Sequence, residues 1–187
     1  MLDRRTFLLG TCALATSFTG NFAVSAQEQK VLTLYFTWSG SAEKIAREVH
    51  RLLGGDIARI ETVTPYPSEY RPTTQVAKAE RLAEARPAVK PLTVNLADYD
   101  TICIGHPIWG GKMPMGLYTF LESHDLACKT VLHFNTHGGS GQGDSQRELA
   151  RLLPKARVLE GLAVYGWGGV SDLGCVEGWL HSIGMKA

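Results

Sequence analysis

Three hydroxyls alternate over five residues, Thr37, Ser39 and Ser41, with Gly40 between the last two. Hydroxyl oxygens both donate and accept, and glycine lets the main chain approach a ligand closely. These residue types at this spacing suit an anion, most naturally a phosphate group. Serine and threonine ahead of a helix are commonly N-caps, but one cap needs one hydroxyl and three are present. The loop carries neither GxxxxGK[ST] nor GxGxxG, so it is neither a nucleoside-triphosphate cradle nor a dinucleotide fingerprint.

The elements around this loop put it where an anion site belongs. Residues 31–36, VLTLYF, form an apolar run that reads as a buried strand. Residues 43–53 then place Ile45, Val49, Leu52 and Leu53 at helical spacing, with Gly54-Gly55 as a stop. Strand, hydroxyl loop and helix follow in order, so the loop meets the unpaired N–H groups and positive dipole end of the helix.

Further along, residues 57–63 alternate as a second strand near an edge, and Pro65 and Pro67 break regular structure. Residues 73–85 read as a charged, alanine-rich helix, and 86–97 as an extended linker with Pro87 and Pro91. A third strand, 99–105, runs into His106-Pro107-Ile108-Trp109-Gly110-Gly111, and Pro114 opens a helix over 115–123. A fourth strand, 130–135, ends in Thr136-His137-Gly138-Gly139-Ser140-Gly141, ahead of a helix over 144–153 capped by Asp144 or Ser145. Residues 157–164 read as a fifth strand, 165–169 as a loop and 171–183 as the last helix. Strands alternating with helices predict an α/β fold: an open five-stranded parallel sheet, order 2-1-3-4-5, with helices on both faces.

The 187 residues carry 19 Lys and Arg against 18 Asp and Glu, for a net charge of +1. Arg4-Arg5 precede an apolar stretch that ends in Ala23-Val24-Ser25-Ala26, which resembles a twin-arginine export signal over residues 1–26. The stretch is diluted by polar residues and falls short of a membrane span. Residues 27–187 are then expected to be one exported, periplasmic domain. Losing Asp3, Arg4 and Arg5 leaves that domain formally neutral, with no basic face for nucleic acid. Its three widely spaced cysteines, Cys103, Cys128 and Cys175, make no disulfide framework.

In an open parallel sheet of this order, ligands bind beyond the strand ends between strands one and three. There the first loop holds a phosphate, the third-strand loop offers Trp109 and the fourth-strand loop offers backbone N–H groups. A phosphate handle beside a flat aromatic wall describes a mononucleotide with a planar ring, and flavin mononucleotide (FMN) fits best. The ordered set LYFTWSGSAEKIA, TPYPSEY, DYDTICIGHPIWGGKMPM and THGGSGQGDS is similar to the flavodoxin-like FMN-binding family, in particular its short-chain bacterial members. The resemblance covers residue 30 to the C-terminus and implies a flavodoxin fold with non-covalent FMN. By motif position it implies Thr37, Trp38, Ser39, Gly40, Ser41 and Ala42 around the phosphate. It likewise implies Pro107, Ile108, Trp109 and Gly110 beside the isoalloxazine, and Thr136, His137, Gly138, Gly139, Ser140 and Gly141 along its other edge.

Two departures from the family pattern bear on function. Ala42 stands where such loops commonly close with threonine, and the usual second aromatic shield after strand four is replaced by His137 and glycines. An uncovered ring face admits a substrate. The resulting expectation is an FMN-binding redox protein exchanging electrons with a partner protein or a small acceptor. An FMN-dependent NAD(P)H:quinone-type reductase is one alternative, and a nonredox module for a phosphorylated ligand is another. His133 and His137, four apart on a strand that enters a loop, lack a carboxylate or cysteine to complete a metal site. Tyr66 and Tyr70 are either a fold over the pocket or a rigid surface turn, and His106 either neighbours the ring or bonds backbone.

Overall fold

The computed structural model describes residues 30–186; the export-signal reading over residues 1–26 lies outside them. Five strand positions build one sheet. β1 (Val31–Tyr35) lies between the edge strand β2 (Asp56–Arg59) and β3 (Thr101–Pro107), and β4 (Thr130–His137) pairs with β3 on the far side. All neighbours are parallel, in the order 2-1-3-4-5 that the sequence predicts. The apolar runs of β1 and β4 are buried because helices cover both faces.

One face packs on α3 (Met115–Ser123) and α4 (Ser145–Leu152), through Ile102, Ile104 and Val131 against Leu117, Phe120, Leu121 and Leu149. The other packs on α1 (Ser41–Leu53) and α5 (Gly174–Ser182), through Cys103, Leu132 and Phe134 against Ile45, Val49, Val176 and Leu180. This segregation follows the period-two alternation of the strands and the 3.6-residue stripe of the helices.

The fifth position departs from the sequence reading. In place of one strand over 157–164 there are two short segments laid end to end along β4: β5 (Arg157–Val158) and β6 (Leu162–Tyr165). The register runs from Val131 opposite Val158 to Phe134 opposite Leu162, so one extra residue is looped out. The cause is the imidazole of His133: a Cβ on Gly161 would lie 2.1 Å from that ring. The chain bulges around it and is held by Gln146, whose Oε1 accepts from the Gly161 N–H at 3.0 Å.

Other boundaries shift less. The helix expected over 73–85 is α2 (Tyr70–Leu82), three residues earlier, with Pro72 tolerated in its first turn. Helix α4 starts at Ser145, but neither Asp144 nor Ser145 caps it with a side chain; the Asp144 carboxylate pairs with Arg147 at 2.8 Å. Among the described residues no helix is long and apolar enough to cross a membrane.

Candidate functional site

At the carboxyl ends of β1, β3, β4 and β6 the connecting loops enclose a cleft of about 1140 Å³. Its first wall is the hydroxyl loop. Gly40 sits at φ 83°, a left-handed conformation that glycine adopts without penalty, and it turns the chain into α1. The Thr37 hydroxyl accepts from the Gly40 N–H at 3.0 Å and braces that turn. The Ser39 hydroxyl donates to Ser41 at 3.2 Å, and both residues face the cleft. Helix α1 has no side-chain cap, so the cap explanation for these hydroxyls does not hold. The N–H groups of Ser39, Ser41, Ala42 and Glu43 meet no acceptor among the described residues, which leaves a cluster of donors at the positive end of a helix. Ala42 contributes only its backbone, because its methyl is buried in the core against α5.

The second wall is a tight hairpin. Trp109 and Lys112 pair across Gly110 and Gly111, both left-handed at φ 59° and 85°, the signature of a type I′ turn. The Trp109 ring is propped from behind by Tyr66, with centroids 4.9 Å apart, and by Phe36 at 5.8 Å. Tyr66 is itself fixed, since its hydroxyl donates to Glu80 at 2.6 Å. Burial and the neighbouring Glu80 hold the Tyr66 phenol well above its usual range, and burial also raises the Glu80 carboxyl. Tyr66 is thus part of the scaffold, whereas Tyr70 lines the cleft.

The third wall comes from β4 and β6. Thr136, His137, Gly138 and Ser140 line the cleft, and His137 Nδ1 accepts from the Gly139 N–H at 3.0 Å. Gly139 and Gly141 are not part of this lining; the Gly141 carbonyl accepts from the Asn135 amide at 3.0 Å. The aromatic residue missing after strand four is supplied from the next loop. Trp167 stands against Gly138, so close that a Cβ there would lie 3.0 Å from its ring. The sequence reading missed Trp167, because β6 is needed to bring residues 165–169 beside β4.

Helix α2 closes the remaining side with Tyr70, Thr74, Ala77, Lys78 and Arg81. Of these only Tyr70 was singled out from the sequence, yet their spacing of four, three, one and three is a single helical stripe. The Pro67 carbonyl anchors both ends of this region: it accepts from Trp38 Nε1 at 2.7 Å and from the Thr73 hydroxyl at 2.7 Å. Of the other predicted residues, Trp38, Pro107, Ile108 and Gly110 line the cleft, while Thr37 and Gly40 brace it from behind.

His106 and His133 lie beneath the site. His106 is fully buried, its ring parallel to that of His133 at 6.5 Å, and its Nδ1 is 3.1 Å from the Pro107 carbonyl. Burial, with His133 alongside, pushes the His106 imidazole down to about 3, so it is neutral. Burial lowers His133 as well, and its Nε2 meets Gln146 at 2.7 Å. Neither ring lines the cleft.

A parallel sheet with an anion cradle after β1 and aromatic walls after β3 and β6 defines a mononucleotide-binding protein of the doubly wound class. Residues 30–177 match the flavodoxin family, and the chain belongs to that family. A solved structure assigned as a flavoprotein from Bacteroides eggerthii is 31% identical, covering 84% of this chain and 99% of its own, with a TM-score of 0.74. One assigned likewise from Bacteroides uniformis is 29% identical over 82% and 98%, with a TM-score of 0.72. A flavoprotein from Lactobacillus acidophilus, solved in complex with FMN, shares the fold at 21% identity over 72% and 92%, with a TM-score of 0.63. No curated protein matches the chain by sequence.

Proposed function

We propose that the cleft holds FMN and that the protein exchanges electrons, through it, with a partner protein or a small acceptor. FMN is the cofactor expected of a flavodoxin-family member, and the residues present fit it. The observation that carries this reading is one cleft with two unlike ends: unpaired N–H groups and hydroxyls at Ser39 and Ser41, and the propped indole of Trp109 at the hairpin. The first end suits a dianionic phosphate, because charge-assisted bonds from backbone N–H groups are strong where water is excluded. The second suits a planar ring stacked on an aromatic wall. Among the described residues no aspartate or glutamate lines the cleft to oppose the phosphate.

Bound FMN supplies the electron-transfer chemistry, while the protein sets its binding, orientation and electrostatic surroundings. Ser39, Ser41 and the N–H groups of Ser39, Ser41 and Ala42 hold the phosphate, and Trp109 and Trp167 flank the ring. His137 and Thr136 line its edge. We further propose that the chain is exported on the twin-arginine signal at Arg4-Arg5, which supports a periplasmic setting. The function is tested by loading the protein with FMN, reducing it chemically without oxygen, and adding either a redox protein or a small quinone. Rapid return of the oxidised flavin absorption with one of these acceptors is expected. A reduced flavin that persists with every acceptor until air is admitted contradicts an electron-exchange role and favours a nonredox phospholigand module.

A further inference from the structure

Helix α2 does more than close the cleft. Tyr70 in its first turn lies beside Trp38 of the phosphate loop, with ring centroids 6.3 Å apart. Arg81, eleven residues on and therefore about 16 Å along the axis, sits beside the hairpin, its Nε 3.0 Å from where a Cβ on Gly110 would stand. The helix thus spans the site from the phosphate end to the ring end. Arg81 is half-buried, and neither it nor Lys78, three residues earlier on the same stripe, pairs with any carboxylate among the described residues. Lys78 is exposed, and the one other half-buried charge on α2 has a partner: Glu80 takes the Tyr66 hydroxyl.

A guanidinium held partly out of water without an acceptor is costly, and an anion relieves that cost. The cofactor's phosphate does not answer Arg81, because the cradle lies at the opposite end of the helix. The cleft's volume of about 1140 Å³ also exceeds the roughly 300–1,000 Å³ usual for one small-molecule site. Between the two cations and Tyr70 the stripe carries only the short side chains of Thr74 and Ala77, which leaves room against the helix. The exposed rings of Tyr70 and Trp167 offer flat apolar contact at the mouth.

Building on the FMN reading, we propose that Lys78 and Arg81 form an anion-binding subsite for a second ligand. The ligand class is a small planar molecule bearing a carboxylate, sulfonate or phosphate, seated between α2 and the bound flavin. The pair would thereby select the protein's small electron acceptor by charge. Lys44, the third cation of the cleft, is excluded from this role because its ammonium donates to the Val170 carbonyl at 3.3 Å on the other side.

The test is equilibrium binding, so it does not depend on turnover. Apo-protein is first titrated with FMN. The FMN-loaded protein is then titrated calorimetrically with 2,6-naphthalenedisulfonate and with uncharged 2,6-dimethoxynaphthalene, in the wild type and in Arg81→Gln and Lys78→Gln. The disulfonate should bind about tenfold or more tightly than the neutral ring, and Arg81→Gln should lose about tenfold for the disulfonate alone. Added salt should weaken disulfonate binding further, and Arg81→Gln should leave the Kd for FMN within about twofold of the wild type. Equal binding of the two probes, or no effect of Arg81→Gln, overturns the subsite. An equal loss of FMN and disulfonate affinity in Arg81→Gln also overturns it, because the cation would then serve the cofactor. Failure of the wild type to take up FMN in the first titration overturns the FMN reading and the subsite built upon it.

Discussion

The ring of Tyr70, in the first turn of α2, meets the ring of Trp167, in the loop after β6, edge to face with centroids 5.4 Å apart. The two residues are 97 positions apart in sequence and are 53% and 61% exposed, so their contact is not made by the core. They join opposite banks of the cleft across its mouth.

This contact should govern how fast the ligand leaves. Trp167→Ala and Tyr70→Ala are each expected to speed FMN dissociation, and the double variant should lose less than the sum of the two. An edge-to-face pair supports a coupling of about 0.5–1.5 kcal/mol. Stopped-flow displacement of FMN from the four proteins measures it; strictly additive effects would show that the rings act independently.

Trp109→Ala should change both flavin and fold. Removing the indole relieves quenching, so bound FMN should fluoresce more strongly at equal occupancy. The indole also packs on Phe36, a buried member of the core cluster under α3, and on Tyr66, which packs against that cluster. A loss of about 1–3 kcal/mol in urea denaturation is therefore expected, below the cost of a fully buried tryptophan. Unchanged fluorescence with the same loss of stability would make Trp109 a packing residue alone.

Sequence reading reached the sheet order, and it named residues that line the first two walls and the β4 part of the third, because their signals are local. An apolar run, an alternating hydroxyl loop and a Gly-Gly hairpin each lie within a dozen residues. It missed Trp167 and, beyond Tyr70, the α2 stripe because those depend on long-range packing. The bulge at Gly161 arises from His133 on the neighbouring strand, and no property of residues 157–164 alone announces it. Likewise Tyr70, Thr74, Lys78 and Arg81 are an ordinary polar helix face until Pro67 fastens α2 over the strand ends. Ala42, read as a lost hydroxyl, turns its methyl to the core and offers the site only an N–H.

The buried imidazole of His106 makes stability depend on pH. Its folded value, about 3, lies below the ordinary 6.5, so the unfolded chain binds a proton that the folded chain does not. Its contribution is complete above about pH 6.5 and falls as pH drops toward 3. Between pH 6.5 and 5 this amounts to about 2 kcal/mol for the one residue. His106→Leu should flatten that part of the profile, leaving the slope due to His133, whose imidazole burial also lowers. Urea midpoints at pH 7 and pH 5 check this, and parallel losses in wild type and variant would refute it.

Export should carry the cofactor with it. A site assembled from three loops exists only in the folded chain, and binding stabilises only that state, so loading precedes crossing if the route moves folded cargo. Arg4→Lys with Arg5→Lys is expected to leave flavin-loaded protein in the cytoplasm. Replacing residues 1–26 by a general secretory signal should instead deliver protein largely free of flavin. Equal flavin occupancy outside the membrane by both routes would show that FMN is acquired after export.

The central claim is that the Thr37–Ala42 loop grips the phosphate of FMN, and the direct measurement is a fluorescence titration of apo-protein with FMN and with riboflavin, in the wild type and in Ser39→Ala. The wild type should bind FMN far more tightly than riboflavin. Ser39→Ala should weaken FMN by about 1–3 kcal/mol while leaving riboflavin nearly unchanged. Equal affinity for the two ligands in the wild type, or equal losses for both in Ser39→Ala, would contradict the account.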